Sequence, residues 1–143
     1  MIPDAPLRLR LDGDALTDNW RALDRLSGAA ACGAAVKADG YGLGVRAVVT
    51  RLCAAGCRDF FVATWEEAGE IADLVDGAAL TVFHGVREED MACALASPAR
   101  PCLNTPEQAA RWRDGGGGAC DAMVDSGINR LGLAPADVAG GLL

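Results

Sequence analysis

A chain of 143 residues is the size of one domain, and with 51% hydrophobic residues it can bury a sizeable core, which excludes a disordered polymer. Its formal net charge of −7 argues against non-specific binding to nucleic acid and against an anionic membrane surface, since both need a basic face. The opening residues Met1 to Pro6 carry neither a basic nor an apolar leader region, and no run is long and apolar enough to span a bilayer, so the expected location is the cytoplasm.

Residues 8–11 alternate enough to predict a short strand, and Asp14 reads as the N-cap of a helix carrying Leu16, Trp20, Leu23 and Leu26, which Gly28 ends. Residues 31–38 are small and β-branched, predicting a strand with Lys37 near its end. Val45, Val48, Val49, Leu52 and Cys53 then form the apolar stripe of a helix closed by Gly56. A strand over 59–64, a helix over 66–75, a strand over 79–84 and a helix over 87–96 follow; Glu88, Glu89 and Asp90 suit the positive end of that last helix. Pro98 and Pro101 break the chain before a short strand at 102–104. Thr105-Pro106-Glu107-Gln108 is a helix start with a capping box, and the glycine run 115–118 is a flexible loop. A fifth strand over 119–125, a loop over 126–132 and a helix from Ala136 complete the chain. Strand and helix alternate throughout and the strands are nearly continuously apolar. That predicts βα units around a parallel sheet buried on both faces: an α/β fold of about five strands, either a partial (β/α)8 barrel or an open doubly wound sheet.

Six cysteines are scattered without a CxxC pair, and His84 has no partner at ligand spacing, so they read as small hydrophobes in a reducing compartment and no metal site is expected. Lys37 is more informative. An amine at the end of an apolar strand, facing alternating glycines, suits condensation with a carbonyl, and Tyr41 stands close behind to donate a hydroxyl. The alternative is a structural lysine paired with an acid such as Asp39. Arg130 lies in a glycine-bearing loop past the fifth strand and suits a carboxylate or phosphate clamp, against the plainer reading of a solvated surface arginine. In a parallel sheet both would share one rim. A rival reading takes Gly42-Leu43-Gly44-Val45-Arg46-Ala47, with Glu66 or Glu67 beyond, as a dinucleotide fingerprint, which leaves Lys37 and Tyr41 without a role.

Residues 36–44, Val-Lys-Ala-Asp-Gly-Tyr-Gly-Leu-Gly, resemble the cofactor-lysine signature of alanine racemases, usually Lys-Ala-Asp-Ala-Tyr-Gly. Residues 124–132, Val-Asp-Ser-Gly-Ile-Asn-Arg-Leu-Gly, are similar to that family's second signature, and residues 55–68 resemble the strand and helix between them. The resemblance covers essentially the whole chain. It implies the N-terminal part, over 1–143, of a barrel that interconverts L- and D-alanine with pyridoxal 5'-phosphate, supplying D-alanine for the cell wall. Lys37 would carry the cofactor covalently and move the α-proton on one face. Tyr41 would hydrogen-bond the cofactor phosphate, and Arg130 would reach the cofactor ring hydroxyl and the substrate carboxylate. Full-length relatives are expected to be homodimers, with no nucleic-acid or membrane partner.

Gly40 and Ser126 replace alanine and threonine, Ile128 replaces methionine, and Met123 stands where many members have a carbamylated lysine that positions the arginine. Members are more than twice as long. The last barrel strands, the C-terminal β domain and the tyrosine base of the opposite face have no counterpart in this sequence, so a truncated and inactive segment is expected. Two other classes stay open: a nicotinamide-dependent oxidoreductase on an open sheet, and a non-catalytic fragment whose sheet edges pair with a complementary chain.

Overall fold

A computed structural model describes residues 7–142. The opening segment, where no leader was expected, lies outside the described residues. The elements run α1 (Gly13–Ser27), β1 (Ala34–Ala35), α2 (Lys37–Gly42), α3 (Val45–Ala55), β2 (Asp59–Val62), α4 (Trp65–Ile71), β3 (Ala79–Val82), a 3₁₀ turn (Glu88–Asp90) leading into α5 (Met91–Ala96), β4 (Arg100–Leu103), α6 (Pro106–Asp114), β5 (Asp121–Ala122) and α7 (Pro135–Ala139). All four strand pairings are parallel, and the strand order is β1-β2-β3-β4-β5.

That order chooses between the two architectures. A doubly wound sheet reverses its order at a switch point, where the dinucleotide sits. Here each strand pairs with the next in sequence and the order never reverses, as in the wall of a (β/α)8 barrel. The dinucleotide reading therefore lacks the crevice it needs.

Several boundaries differ from the sequence reading, each for a local reason. Residues 8–11 form no strand among the described residues; Leu7 and Leu9 are exposed. The cap of α1 is Asp12, not Asp14, because its side chain accepts Ala15 N–H at 3.0 Å. The 3₁₀ turn is closed by Arg87, whose guanidinium and backbone N–H both donate to Asp90. Pro101 does not break the chain but lies inside β4, where Arg100–Pro101 pair with β3 and Cys102–Leu103 pair with β5. Thr105 caps α6 as expected, its hydroxyl accepting Gln108 N–H at 3.2 Å, but the reciprocal half of the capping box does not form: the Gln108 side chain goes to Asn104 N–H and His84 O instead.

The core lies between the sheet and the helices. Val49, Phe60, Val62, Ile71, Val82 and Val86 are fully buried there, each worth about 1.5–3 kcal/mol by burial of apolar surface. Burial on both faces was expected, and it holds in the middle of the sheet, where Leu80, Thr81 and Val82 of β3 and Pro101, Cys102 and Leu103 of β4 are all buried. The second strand, β2, departs from it, since Phe60 and Val62 face the helices and are buried, whereas Asp59 and Phe61 point to the other face and are half-buried. The opposite face is partly polar. On it, buried Thr81 donates to Asp121 at 2.6 Å, and Arg100 binds the same carboxylate at 2.9 Å, tying β3, β4 and β5 together.

Candidate active site

The C-terminal ends of the strands surround a cavity of about 340 Å³, lined by Lys37, Ala63, Thr64, Phe83, His84, Met123, Arg130 and Leu131. Lys37 and Arg130, 93 positions apart in sequence, thus meet on one rim. No carboxylate lines this cavity, and neither cation has a hydrogen-bond or ion-pair partner among the described residues. A slightly larger cavity, about 380 Å³, opens at the other end of β3 and β4, but its one cation, Arg100, is already paired with Asp121. It carries no comparable chemistry.

Lys37 is the only lysine in the sequence. It is half-buried rather than buried, and its Nζ lies 6.0 Å from the centre of the Tyr41 ring, at the outer limit of a cation–π contact. The strand expected over 31–38 ends early because the backbone turns at Lys37 into α2, a left-handed turn: Ala38, Asp39, Gly40 and Tyr41 all have φ between 52° and 63°. For the three that are not glycine this conformation costs roughly 1–2 kcal/mol per residue. Hydrogen bonds offset that strain. Gly40 N–H donates to Val36 O at 2.9 Å, Gly44 N–H to Asp39 O at 3.0 Å, and Val45 N–H to the Asp39 carboxylate at 2.7 Å. Asp39 therefore caps α3 and is not the partner of Lys37.

A second carboxylate holds the turn from outside. Glu67 Oε1 accepts Ala38 N–H at 2.7 Å, and Oε2 accepts Ala63 N–H at 2.6 Å and Thr64 N–H at 3.3 Å. Glu67 is also the third residue of α4, in a capping box with Thr64. The dinucleotide reading takes Glu66 or Glu67 as its acid; Glu67 instead ties the α2 turn to the chain just past β2. The Thr-x-x-Glu spacing was the signal that could have found it.

Arg130 sits on a loop organised by Asp125, whose Oδ1 accepts Gly127 N–H at 2.9 Å and Asn129 N–H at 3.0 Å. These backbone donors hold the Asp125 carboxyl below the usual carboxylate range. The loop returns through a bridge between Val124 and Leu133, and at Gly132, with φ 123°, a side chain would collide with the Asp125 backbone. The long fifth strand expected over 119–125 is thus a two-residue strand followed by this bridged loop.

Tyr41 does not line the Lys37 cavity, although its ring lies beside the Lys37 amine. It lines a separate, mostly apolar pocket with Trp20 and Leu43, and its side chain is 63% exposed. The floor of the Lys37 cavity includes Phe83, stacked on Phe61 at 5.3 Å, which the sequence reading did not single out. Asn104 holds that floor by donating to Phe83 O and Cys102 O, both at 2.8 Å; its own Oδ1 is buried without a partner. Burial pushes the Cys102 thiol up to about 11, so it behaves as a hydrophobe. Among the described residues no group of side chains could hold a metal ion, and no helix is long and apolar enough to cross a membrane.

Residues 11–142 match the family model described as alanine racemase, N-terminal domain. The chain is 44% identical over 137 residues to an alanine racemase of Rhodospirillum rubrum, covering 91% of this chain and 37% of that protein. It is 40% identical to one of Rhizobium meliloti over 92% of this chain and 36% of that protein. Among solved structures, alanine racemase from Bartonella henselae with covalently bound pyridoxal phosphate superposes with a TM-score of 0.81 at 26% identity, over 91% of this chain and 38% of that one. The Corynebacterium glutamicum enzyme gives a TM-score of 0.81 at 27% identity, over 92% of this chain and 39% of that one. The chain thus spans under two-fifths of the length of these relatives. With its two signatures at one rim of a sequentially paired parallel sheet, it belongs to the alanine racemase N-terminal domain family.

Proposed function

We propose that this chain is the lysine-bearing N-terminal part, over 1–143, of a pyridoxal-phosphate-dependent alanine racemase. The observation that carries the reading is the pairing of Lys37 and Arg130 across one cavity without any carboxylate to neutralise them. The donor set fits the cofactor: an amine to meet an aldehyde, a guanidinium to meet anionic oxygens, and a cavity of about 340 Å³, within the usual range for a small-molecule site. Tyr41, close behind Lys37, is the group to hold the phosphate, through its hydroxyl.

When bound, pyridoxal phosphate supplies the electron sink that lets an amino acid lose its α-proton. The protein supplies the rest. Lys37 Nζ takes that proton on one face and returns it. Arg130 orients the substrate carboxylate by a charge-assisted bond and reaches the ring hydroxyl. Phe83, backed by Phe61, excludes water from beneath. Met123 in the cavity wall carries no charge, so Arg130 takes its position from the Asp125-bound loop instead.

Racemisation also needs an acid–base group on the opposite face. The family places it beyond the matched span, so the 143-residue chain alone is expected to bind cofactor without racemising alanine. The same reading carries a homodimeric full-length enzyme, D-alanine supply for peptidoglycan, and a cytoplasmic location, where six free cysteines are at home.

The test is covalent trapping. The purified chain is mixed with pyridoxal phosphate, reduced with borohydride and mapped by peptide mass. Label on Lys37, absent in Lys37→Ala, is expected. With no other lysine in the chain, label confined to the N-terminal amine would refute the reading.

A further inference from the structure

Lys37 and the strand end opposite it are joined by a single side chain. Ala38 N–H belongs to the peptide that leaves Lys37, and Ala63 and Thr64 line the same cavity as Lys37. Glu67 accepts from all three, at 2.7, 2.6 and 3.3 Å. We propose that Glu67 is the positioning residue of Lys37, setting where its amine enters the cavity by clamping the left-handed turn to the end of β2. For its functional consequence this rests on Lys37 being the cofactor amine.

The equivalent position of α6 shows why the residue type matters. Gln108 follows Thr105 as Glu67 follows Thr64, and it too reaches a neighbouring strand end. Its Oε1 accepts Asn104 N–H at 2.9 Å, and its Nε2 donates to His84 O at 3.1 Å. There the partners are one donor and one acceptor, which an amide satisfies. Around Glu67 all three partners are donors, so only a carboxylate can serve both sides. Glutamine at 67 would turn its NH₂ against a backbone N–H. The carboxylate makes no ion pair with Lys37, so it acts through the backbone, not by neutralising the amine.

The experiment uses the intact chain without cofactor. Reductive ¹³C-methylation labels two amines only, Lys37 and the N-terminus, so the Lys37 signal and its pH titration are read directly by NMR, alongside amide exchange at Ala38. In the wild type, Ala38 N–H should exchange at least about tenfold more slowly than an unbonded amide, the factor one charge-assisted bond is worth. Glu67→Gln should lose that protection and shift the Lys37 signal. Thr64→Ala removes the cap on Glu67 N–H (3.3 Å) but leaves the carboxylate in place, so it should lower Tm without moving Lys37. If Glu67→Gln leaves Ala38 exchange and the Lys37 titration unchanged, or if Thr64→Ala moves them equally, the inference is overturned. Should Glu67→Gln not fold, the wild-type amide decides by itself, because an unprotected Ala38 is incompatible with the clamp. A wild type that fails to trap pyridoxal phosphate would refute the cofactor reading while leaving these cofactor-free measurements intact.

Discussion

Asp125 orders the Arg130 loop through two backbone N–H groups, and its carboxyl is held low by those bonds. A carboxyl that titrates lower in the folded state than its unfolded value of about 3.9 stabilises the fold fully above that pH. The contribution is lost as pH falls through the folded value. Protection of the Gly127 and Asn129 amides, measured against their intrinsic exchange rates, should therefore be high near neutrality and fall on acidification below about pH 4. Asp125→Ala should show little protection of these amides at any pH and leave the Lys37 turn unaffected. Tyr41 gives a second prediction at this scale. If its hydroxyl holds the cofactor phosphate, Tyr41→Phe should raise the half-saturating concentration of pyridoxal phosphate about tenfold, as loss of a bond to a charged group does. Binding of pyridoxal, which has no phosphate, should stay the same; equal loss for both ligands would remove the phosphate from its role.

At the scale of elements, α2 is where the sequence was hardest to read. Regular helices and strands announce themselves by period, and the apolar stripe at Val45, Val48, Val49 and Leu52 became α3 with Gly56 as its left-handed cap. A left-handed turn has no such period. Ala38, Asp39 and Tyr41 are ordinary residues in a conformation that glycine favours, held by bonds from Glu67 and from α3 that no local pattern displays. The same gap explains Lys37. Its place at a strand end was legible from the apolar run before it, whereas its half-exposure depends on a turn that only tertiary contacts hold. Arg130 was legible from its signature, and its sharing a rim with Lys37 followed from the parallel sheet, but that the two line one cavity became visible only in the structure. Gly40 tests the turn directly. It is buried, with φ 63°, and an added Cβ would lie 3.3 Å from Val45 Cα and Val48 Cγ2. Gly40→Ala should therefore destabilise by about 1–2 kcal/mol, from the left-handed conformation, a fall in Tm of several degrees by thermal melting. An unchanged Tm would mean that the turn and α3 can yield at no cost.

For the whole molecule, the one-sided burial of β2 makes a sharp comparison between adjacent residues. Phe60 faces the helices and is fully buried, whereas Phe61 faces the open side of the sheet and stacks on Phe83. Phe60→Ala should cost about 3–5 kcal/mol, while Phe61→Ala should cost less, because its ring is already partly exposed and its loss leaves a smaller cavity. Urea melts of the two variants measure the difference. Equal losses would show that the inner face is covered in solution, as the reading of a fragment paired with a complementary chain requires. The strand order has a further consequence, for how the chain folds during synthesis. Every ladder joins one βα unit to the unit immediately after it, so no strand pairing waits for a distant segment. Such a chain can add βα units one at a time, in the manner of a repeat array. As it leaves the ribosome from the N-terminus, the Lys37 turn can therefore be set and clamped by the β2–α4 unit before the loop that carries Arg130 has been made.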